Sequence, residues 1–192
     1  FGLLFFKMKY YQDETFKNID FSIEKEIAEF DNCSFQNCQF TGMKLLNFNF
    51  IECEFHTCDF SAANLSSCSL NDCNFEACKL LGLRFDLCNP FLFQVNFKDC
   101  QLDFSSFYQC KMKKTNFENC SLKEVDFTEA DLEGSNFHES TLSGAVFERT
   151  NLVKSNFTTA QNFNINPEIN NIKAAHFSKD NLSGLLLNYQ LN

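Results

Sequence analysis

The chain has 192 residues and carries 16 Lys+Arg against 25 Asp+Glu, a formal net charge of −9 with a pI near 4.8. Phe supplies 26 residues and Cys 11, against 6 Gly, 2 Pro and no Trp; 44% of the chain is hydrophobic, which excludes simple disorder. The mean hydropathy is −0.25. No run approaches the roughly 20 apolar residues of a membrane-spanning helix, and the acidity argues against binding nucleic acid by neutralising phosphates.

Residues 1–7, Phe1-Gly2-Leu3-Leu4-Phe5-Phe6-Lys7, have neither the basic n-region nor the small-residue cleavage site of a secretion signal, and Met8-Lys9-Tyr10-Tyr11 reads as a start. Residues 1–14 are assigned as an N-terminal extension or cap. Phe16 and Phe21 then begin a spacing of five. It pauses at residues 22–29, where Phe21 to Phe30 is a step of nine. It resumes as Phe30, Phe35, Phe40, Leu45, Phe50, Phe55, Phe60, Leu65, Leu70, Phe75, Leu80 and Phe85. A second break at residues 86–96 makes Phe85 to Phe97 a step of twelve. Asn89-Pro90 is a turn signal there, followed by the apolar Phe91, Leu92 and Phe93. This stretch reads either as a bulge that repacks its own aromatics or as a projection whose Pro90, Phe91 and Phe93 touch a partner. From Phe97 the spacing runs through Leu102, Phe107, Met112, Phe117, Leu122, Phe127, Leu132, Phe137, Leu142, Phe147 and Leu152 to Phe157, and decays over residues 162–167. Ser178 then offers an N-cap to Leu182, Leu185, Leu186 and Tyr189 at i, i+3, i+4 and i+7. That pattern predicts a short amphipathic helix shielding the end of a repeat array.

A period of five suits neither regular element. On an α-helix, residues five apart point all round the cylinder; on a continuous strand they alternate between faces. The chain must therefore turn once per repeat, keeping each large residue, position i, inside. Within a short extended segment position i−2 shares that interior. All 11 cysteines fall in the i−2 phase: Cys33, Cys38, Cys53, Cys58, Cys68, Cys73, Cys78, Cys88, Cys100, Cys110 and Cys120. Large i and small i−2 residues together fill a narrow tube, and the polar positions between them form its wall.

The repeat appears as Cys53-Glu54-Phe55-His56-Thr57, Ala130-Asp131-Leu132-Glu133-Gly134 and Ser155-Asn156-Phe157-Thr158-Thr159. It resembles the pentapeptide-repeat family over residues 15–163. The resemblance implies an all-β fold, a right-handed quadrilateral parallel β-helix of 20 residues per coil, closed by the short C-terminal capping helix. The alternation of Phe with Leu or Met after Phe97 agrees, since four faces per coil then put Phe on two opposite faces. About 27 repeats at about 4.8 Å per coil make a tube roughly 32 Å long.

Cys33, Cys53 and Cys73, and likewise Cys38, Cys58 and Cys78, stack one coil apart, a distance within disulfide range. The odd cysteine count and the lack of a secretion signal favour thiols in a reducing cytoplasm, packed as small hydrophobes. Cys-x4-Cys spacing loosely matches zinc sites, but the repeat pitch already accounts for it, so neither metal nor cofactor is expected. His56 and His138 fall on the outside and His176 in the C-terminal module. No nucleophile–base pair or phosphate loop is legible, so no enzyme activity is expected.

Between Phe117 and Thr150 stand eight acids, Glu118, Glu124, Asp126, Glu129, Asp131, Glu133, Glu139 and Glu148, against Lys123 and Arg149. Lys98, Lys111, Lys113 and Lys114 precede them. This reads as a rod with one acidic side, either a solvated face or a partner surface. The resemblance extends to the quinolone-resistance, gyrase-interacting branch. It implies a cytoplasmic DNA mimic that binds DNA gyrase or topoisomerase IV, modulates quinolone susceptibility, and pairs into a homodimer through residues 164–192, with Leu182, Leu185, Leu186 and Tyr189 at the junction. Neither direct nucleic-acid nor membrane contact is implied. A duplex 32 Å long carries about 19 charges, twice the net charge here. A general scaffold rod with another protein partner therefore stays open.

Overall fold

One position per repeat adopts left-handed backbone, and that is what turns the chain every five residues. The computed structural model describes residues 8–23 and 26–189; the expected upstream extension over residues 1–7 lies outside them. Position i+2 has φ between +50° and +72° at corner after corner, from Asn32 and Asn37 to Gly134 and Gly144. Many of these corners close with a direct turn bond, as where Ala130 N–H donates to the Phe127 carbonyl at 3.0 Å. Gly and Asn hold fewer than half of these corners. Glu, Thr, Ala and even Phe104 occupy others, which is why the turn signal is weak in the sequence.

Two parallel sheets cover adjacent faces of the tube. One contains β1 (Lys9–Gln12), β3 (Ala28–Asp31), β5 (Asn49–Ile51) and β7 (Ser69–Asn71). The other contains β2 (Thr15–Lys17), β4 (Ser34–Gln36), β6 (Glu54–His56), β8 (Cys73–Glu76), β9 (Val95–Lys98) and β10 (Phe117–Glu118). Past these strands the ladder continues as single bridges, such as Asn116–Asn136–Asn156–His176 and Asp131–Asn151–Asn171. The regular register is twenty, as in Phe35–Phe55–Phe75. The first break shortens it, pairing Phe16 with Phe35, and the second lengthens it, pairing Phe75 with Phe97. Each break is absorbed within one coil, so the rungs keep their faces.

The second sheet carries a stack of nine phenylalanine rings on its inner face: Phe16, Phe35, Phe55, Phe75, Phe97, Phe117, Phe137, Phe157 and Phe177. Their centroids lie 4.5–5.5 Å apart. Opposite it, Phe85, Phe107, Phe127 and Phe147 form a second stack, as the Phe/Leu alternation predicts. Each buried ring contributes about 2–3 kcal/mol through lost hydration, and each stacked pair about 1 kcal/mol more.

The small interior positions do more than fill space. At four open corners, a side chain from the next coil is inserted where the turn bond would be. Cys78 stands between Cys58 N–H and the Phe55 carbonyl, and Ser105 between Leu83 N–H and the Leu80 carbonyl. Ser140 bridges Cys120 N–H and the Phe117 carbonyl at 2.9 and 3.0 Å, and Asn170 does the same for Thr150 and Phe147. The cysteines are hydrogen-bonding rungs as well as small hydrophobes.

Both ends differ from the expected boundaries. The tube begins within residues 1–14, because β1 pairs with β3 and Tyr11 stacks on Phe30 at 5.1 Å. It also runs past residue 163, since Phe177 stacks on Phe157 and Ile172 packs against the core. Tyr11, Ile172 and Phe177 keep the five-residue phase, but an aromatic phenol and the irregular residues 162–167 hide it. Eight steps between nine rungs give about 38 Å, longer than the expected 32 Å. The C-terminal helix forms as two 3₁₀ segments, Lys179–Leu185 and Leu187–Tyr189. Its apolar face does not lie on the tube as a 3.6-residue pattern would place it. Leu185 is half-buried, while Leu182, Leu186 and Tyr189 are exposed. The segment docks through the Gly184 backbone instead, which accepts a bond from Ile165 N–H and leaves no room for a side chain beside Phe163. Asn181 closes the end by donating to the Phe157 and Ala160 carbonyls.

Candidate interaction surface

Every rung spends its large residue on the core, so functional chemistry is left to the wall. The carboxylates expected on one acidic side are distributed round the tube as a belt. Glu118 follows the inner ring Phe117 on the nine-ring face, and Glu139 sits at the corner beyond it. Glu124 and Glu129 occupy the corners that flank the face of Phe127, with Glu148 on that face one coil on. Glu133 lies on the fourth face, next to Asp131. The dispersal follows from the register: acids spaced by five or six residues fall on successive faces, whereas a single side requires a spacing of twenty.

The belt is partly neutralised from the neighbouring coils. Lys113 reaches Glu133 at 2.7 Å and Asp131 at 3.4 Å. Arg149 reaches Glu129 at 2.7 Å while Gln109 donates to it from the other side at 2.6 Å. The Gln109 and Arg149 bonds hold the Glu129 carboxyl below its ordinary range, and Lys113 does so for Glu133. On the nine-ring face, His56 lies 3.1 Å from Glu76, which also takes Lys98 at 3.2 Å. Nothing in the sequence marks this ladder, because its members are separated by one coil.

The break after Phe85 packs one of its aromatics and exposes the other. Phe93 packs on the core, while Phe91 is 73% exposed and Pro90 stands clear of the tube. Between this bulge and the next coil lies a groove of about 640 Å³, lined by Pro90, Phe91, Phe93, Tyr108, Cys110 and Lys111 among others. At the C-terminal end, Leu182, Leu186, Leu187 and Tyr189 leave an apolar surface, and Tyr189 is tied to Glu168 by a 2.9 Å hydrogen bond.

All eleven cysteines are free thiols; Cys110 is half-buried and the others buried. Burial pushes the Cys53 and Cys110 thiols up to about 12 and raises Cys68 and Cys73 as well. These groups stay protonated and poorly nucleophilic at neutral pH. Among the described residues, no cluster of three or more His, Cys, Asp or Glu side chains is arranged to hold a metal ion. Among them too, no helix is long and apolar enough to cross a membrane.

Comparison with solved structures finds the same fold at low sequence identity. The protein HetL of the cyanobacterium Nostoc sp. strain PCC 7120, described as involved in heterocyst differentiation regulation, superposes with a TM-score of 0.71 at 16% identity, over 90% of this chain and 88% of HetL. A trypsin-treated form of QnrB1, described as a plasmid-mediated fluoroquinolone resistance protein, superposes with a TM-score of 0.63 at 15% identity, over 95% of this chain and 98% of that one. No curated protein sequence matches the chain significantly. The family model for the pentapeptide repeat region matches residues 88–157, and that for pentapeptide repeats (8 copies) matches residues 33–71 and 58–89. Together these cover residues 33–157 without a gap, well over half of the chain, and the protein belongs to the pentapeptide-repeat family.

Proposed function

We propose that the protein is a non-catalytic, cytoplasmic rod that acts by protein–protein contact, and that its partner is a type II topoisomerase, DNA gyrase or topoisomerase IV, whose DNA-binding surface takes the carboxylate belt in place of a duplex. The observation that carries this reading is the charge density of the belt. Residues 117–150 occupy less than two coils, about 8 Å of axis. Their eight acids, less Lys123, Arg149 and the paired Lys113, leave a net charge of −5. That is about one charge per 1.6 Å, close to the 1.7 Å of duplex DNA, and it encircles the rod as phosphates encircle a duplex. QnrB1, a structural relative at the level of fold, is described as a fluoroquinolone resistance protein, which makes a quinolone-dependent readout the natural one. The apolar end formed by Leu182, Leu186 and Tyr189 joins two rods into a homodimer.

The test is a gyrase supercoiling assay with the purified chain, with and without a quinolone. Inhibition or drug rescue is expected, and is lost in a variant carrying Glu118→Gln, Glu124→Gln and Glu139→Gln. Absence of inhibition, rescue and pull-down at tens of micromolar sinks the topoisomerase assignment. The scaffold reading, favoured by the pairing of Glu129 and Glu133 with cations of adjacent coils, then stands. Gel filtration at micromolar concentration decides the dimer, and a monomeric elution volume refutes it.

A further inference from the structure

The face that carries Phe127 has a second feature, independent of total charge. Its wall columns follow the register of twenty, lengthened by the second break. One corner column runs Gly82, Phe104, Glu124, Gly144; the centre holds Asp86, Tyr108, Thr128, Glu148; the far corner holds Leu87, Gln109, Glu129, Arg149. On the coil of Tyr108 and the one before it, three exposed side chains are apolar, Phe104 at 61%, Tyr108 at 39% and Leu87 at 44%, beside the exposed Gln109 and with Phe91 and Leu92 on the adjoining bulge. The Arg84–Asp86 pair between them is self-neutralised. On the next two coils the same columns turn acidic, with Glu124, Glu129 and Glu148 against Arg149 and with Asp126 in the adjoining column of Arg84 and Ser106. Lys123 and Lys111 flank the face on either side.

Folding does not ask for this arrangement. Phe104 sits at φ +64° and Leu92 at φ +55°, left-handed backbone in which a bulky side chain is strained, yet both side chains face water. Gly82 and Gly144 hold the same corner elsewhere in the column without that cost. The exposed aromatics Phe91 and Tyr108 line a groove of about 640 Å³, and the strained Phe104 stands at the other corner of the same face, so all three are placed as contacts.

We infer that this face is a docking site for a cationic amphipathic segment of a partner protein. Its apolar side chains enter the groove against Phe91 and Tyr108 and cross the face to Phe104, and its Lys or Arg side chains lie one to two coils along the axis on Glu124, Glu129 and Glu148. The drop of about 4.8 Å per coil is close to the rise of about 4.5 Å between helix positions i and i+3, so one helical face meets both bands. The inference rests on the reading of the protein as an interaction rod, but requires no topoisomerase.

The probe is a fluorescently labelled synthetic helix of leucine and lysine, about five turns long, titrated with the full chain and followed by anisotropy. Binding is expected, weaker at high salt. Phe104→Asn with Tyr108→Ser, and separately Glu124→Gln with Glu148→Gln, should each weaken it about tenfold, the scale of losing one anchor. Glu118→Gln with Glu139→Gln removes equal charge from other faces and should change it less than about twofold. Asn suits the left-handed corner, and an unchanged thermal melt shows that each variant folds. Three outcomes overturn the inference: equal weakening by the control pair, no weakening by Phe104→Asn with Tyr108→Ser, or equal binding of a leucine–glutamate helix. A wild-type dimer dissociated by Phe104→Asn overturns it too, since a second copy then occupies the face. A failed gyrase assay with successful peptide binding rejects the topoisomerase alone.

Discussion

A side chain that completes a turn in the neighbouring coil links two coils with one atom. Ser140 is the clearest case, because its hydroxyl accepts from Cys120 N–H and donates to the Phe117 carbonyl in a fully buried setting. Ser140→Ala strands both groups and should cost about 1–3 kcal/mol, whereas Ser140→Cys keeps a donor and should cost less. Thermal melts of the two variants check the order; equal melting temperatures would show that the bridge contributes nothing. The same logic explains why Cys, Ser and Thr interchange at this position, as in Cys53, Cys58 and Cys73 and, further on, Ser135, Thr150 and Ser155. Each is small enough for the tube and carries one donor for the carbonyl of the coil before.

The coil is the element of this fold, and its rungs stand or fall together. Phe127 is buried between Phe107 and Phe147, at centroid distances of 5.5 and 5.1 Å. Phe127→Asp buries a carboxylate in a dry stack and should unfold the tube; a soluble variant with wild-type circular dichroism contradicts the interior assignment. At the end of the array, a Cβ on Gly184 would lie 2.4 Å from a Phe163 ring carbon and 2.6 Å from its carbonyl oxygen. Gly184→Ala should therefore lift the last turn and cost about 1–3 kcal/mol. Hydrogen exchange should localise the loss to residues 163–189, and uniform loss along the chain would contradict a local cap.

Over the molecule as a whole, two sets of groups set opposite limits on pH. Glu76, Glu129 and Glu133 have folded values below their ordinary range, because Lys98, Gln109 with Arg149, and Lys113 bond their charged forms. Their contribution is present above the unfolded carboxylate range, near pH 4.3, and is lost as pH falls through the folded values. Since all three are partly open to solvent, the acid limb should be shallow and weakened by salt. Burial raises the Cys53, Cys68, Cys73 and Cys110 thiols, to about 12 for Cys53 and Cys110. Their contribution is complete below the unfolded thiol range, near pH 8.5, and disappears as pH rises towards 12. Melting temperature should be flat from about pH 6 to 8 and fall on both sides, steeply on the alkaline side; a plateau reaching pH 11 would refute the alkaline limb.

The five-residue spacing of Phe and Leu and the single phase of the cysteines determined the tube, its interior and its family resemblance. These are properties of a repeat whose contacts all lie at one fixed separation, so the pattern is local and legible. The expected ends were short because Tyr11 and Phe177 keep the phase under other guises. Only the tertiary structure decided which wall residues meet, since that depends on the register of twenty and on two breaks that change it to nineteen and twenty-two. An acidic run in sequence became a belt, because five residues carry the chain round one corner of the tube. The band of Phe104 and Tyr108 above Glu124 and Glu148 joins residues up to 44 positions apart, and only stacked coils bring them onto one face.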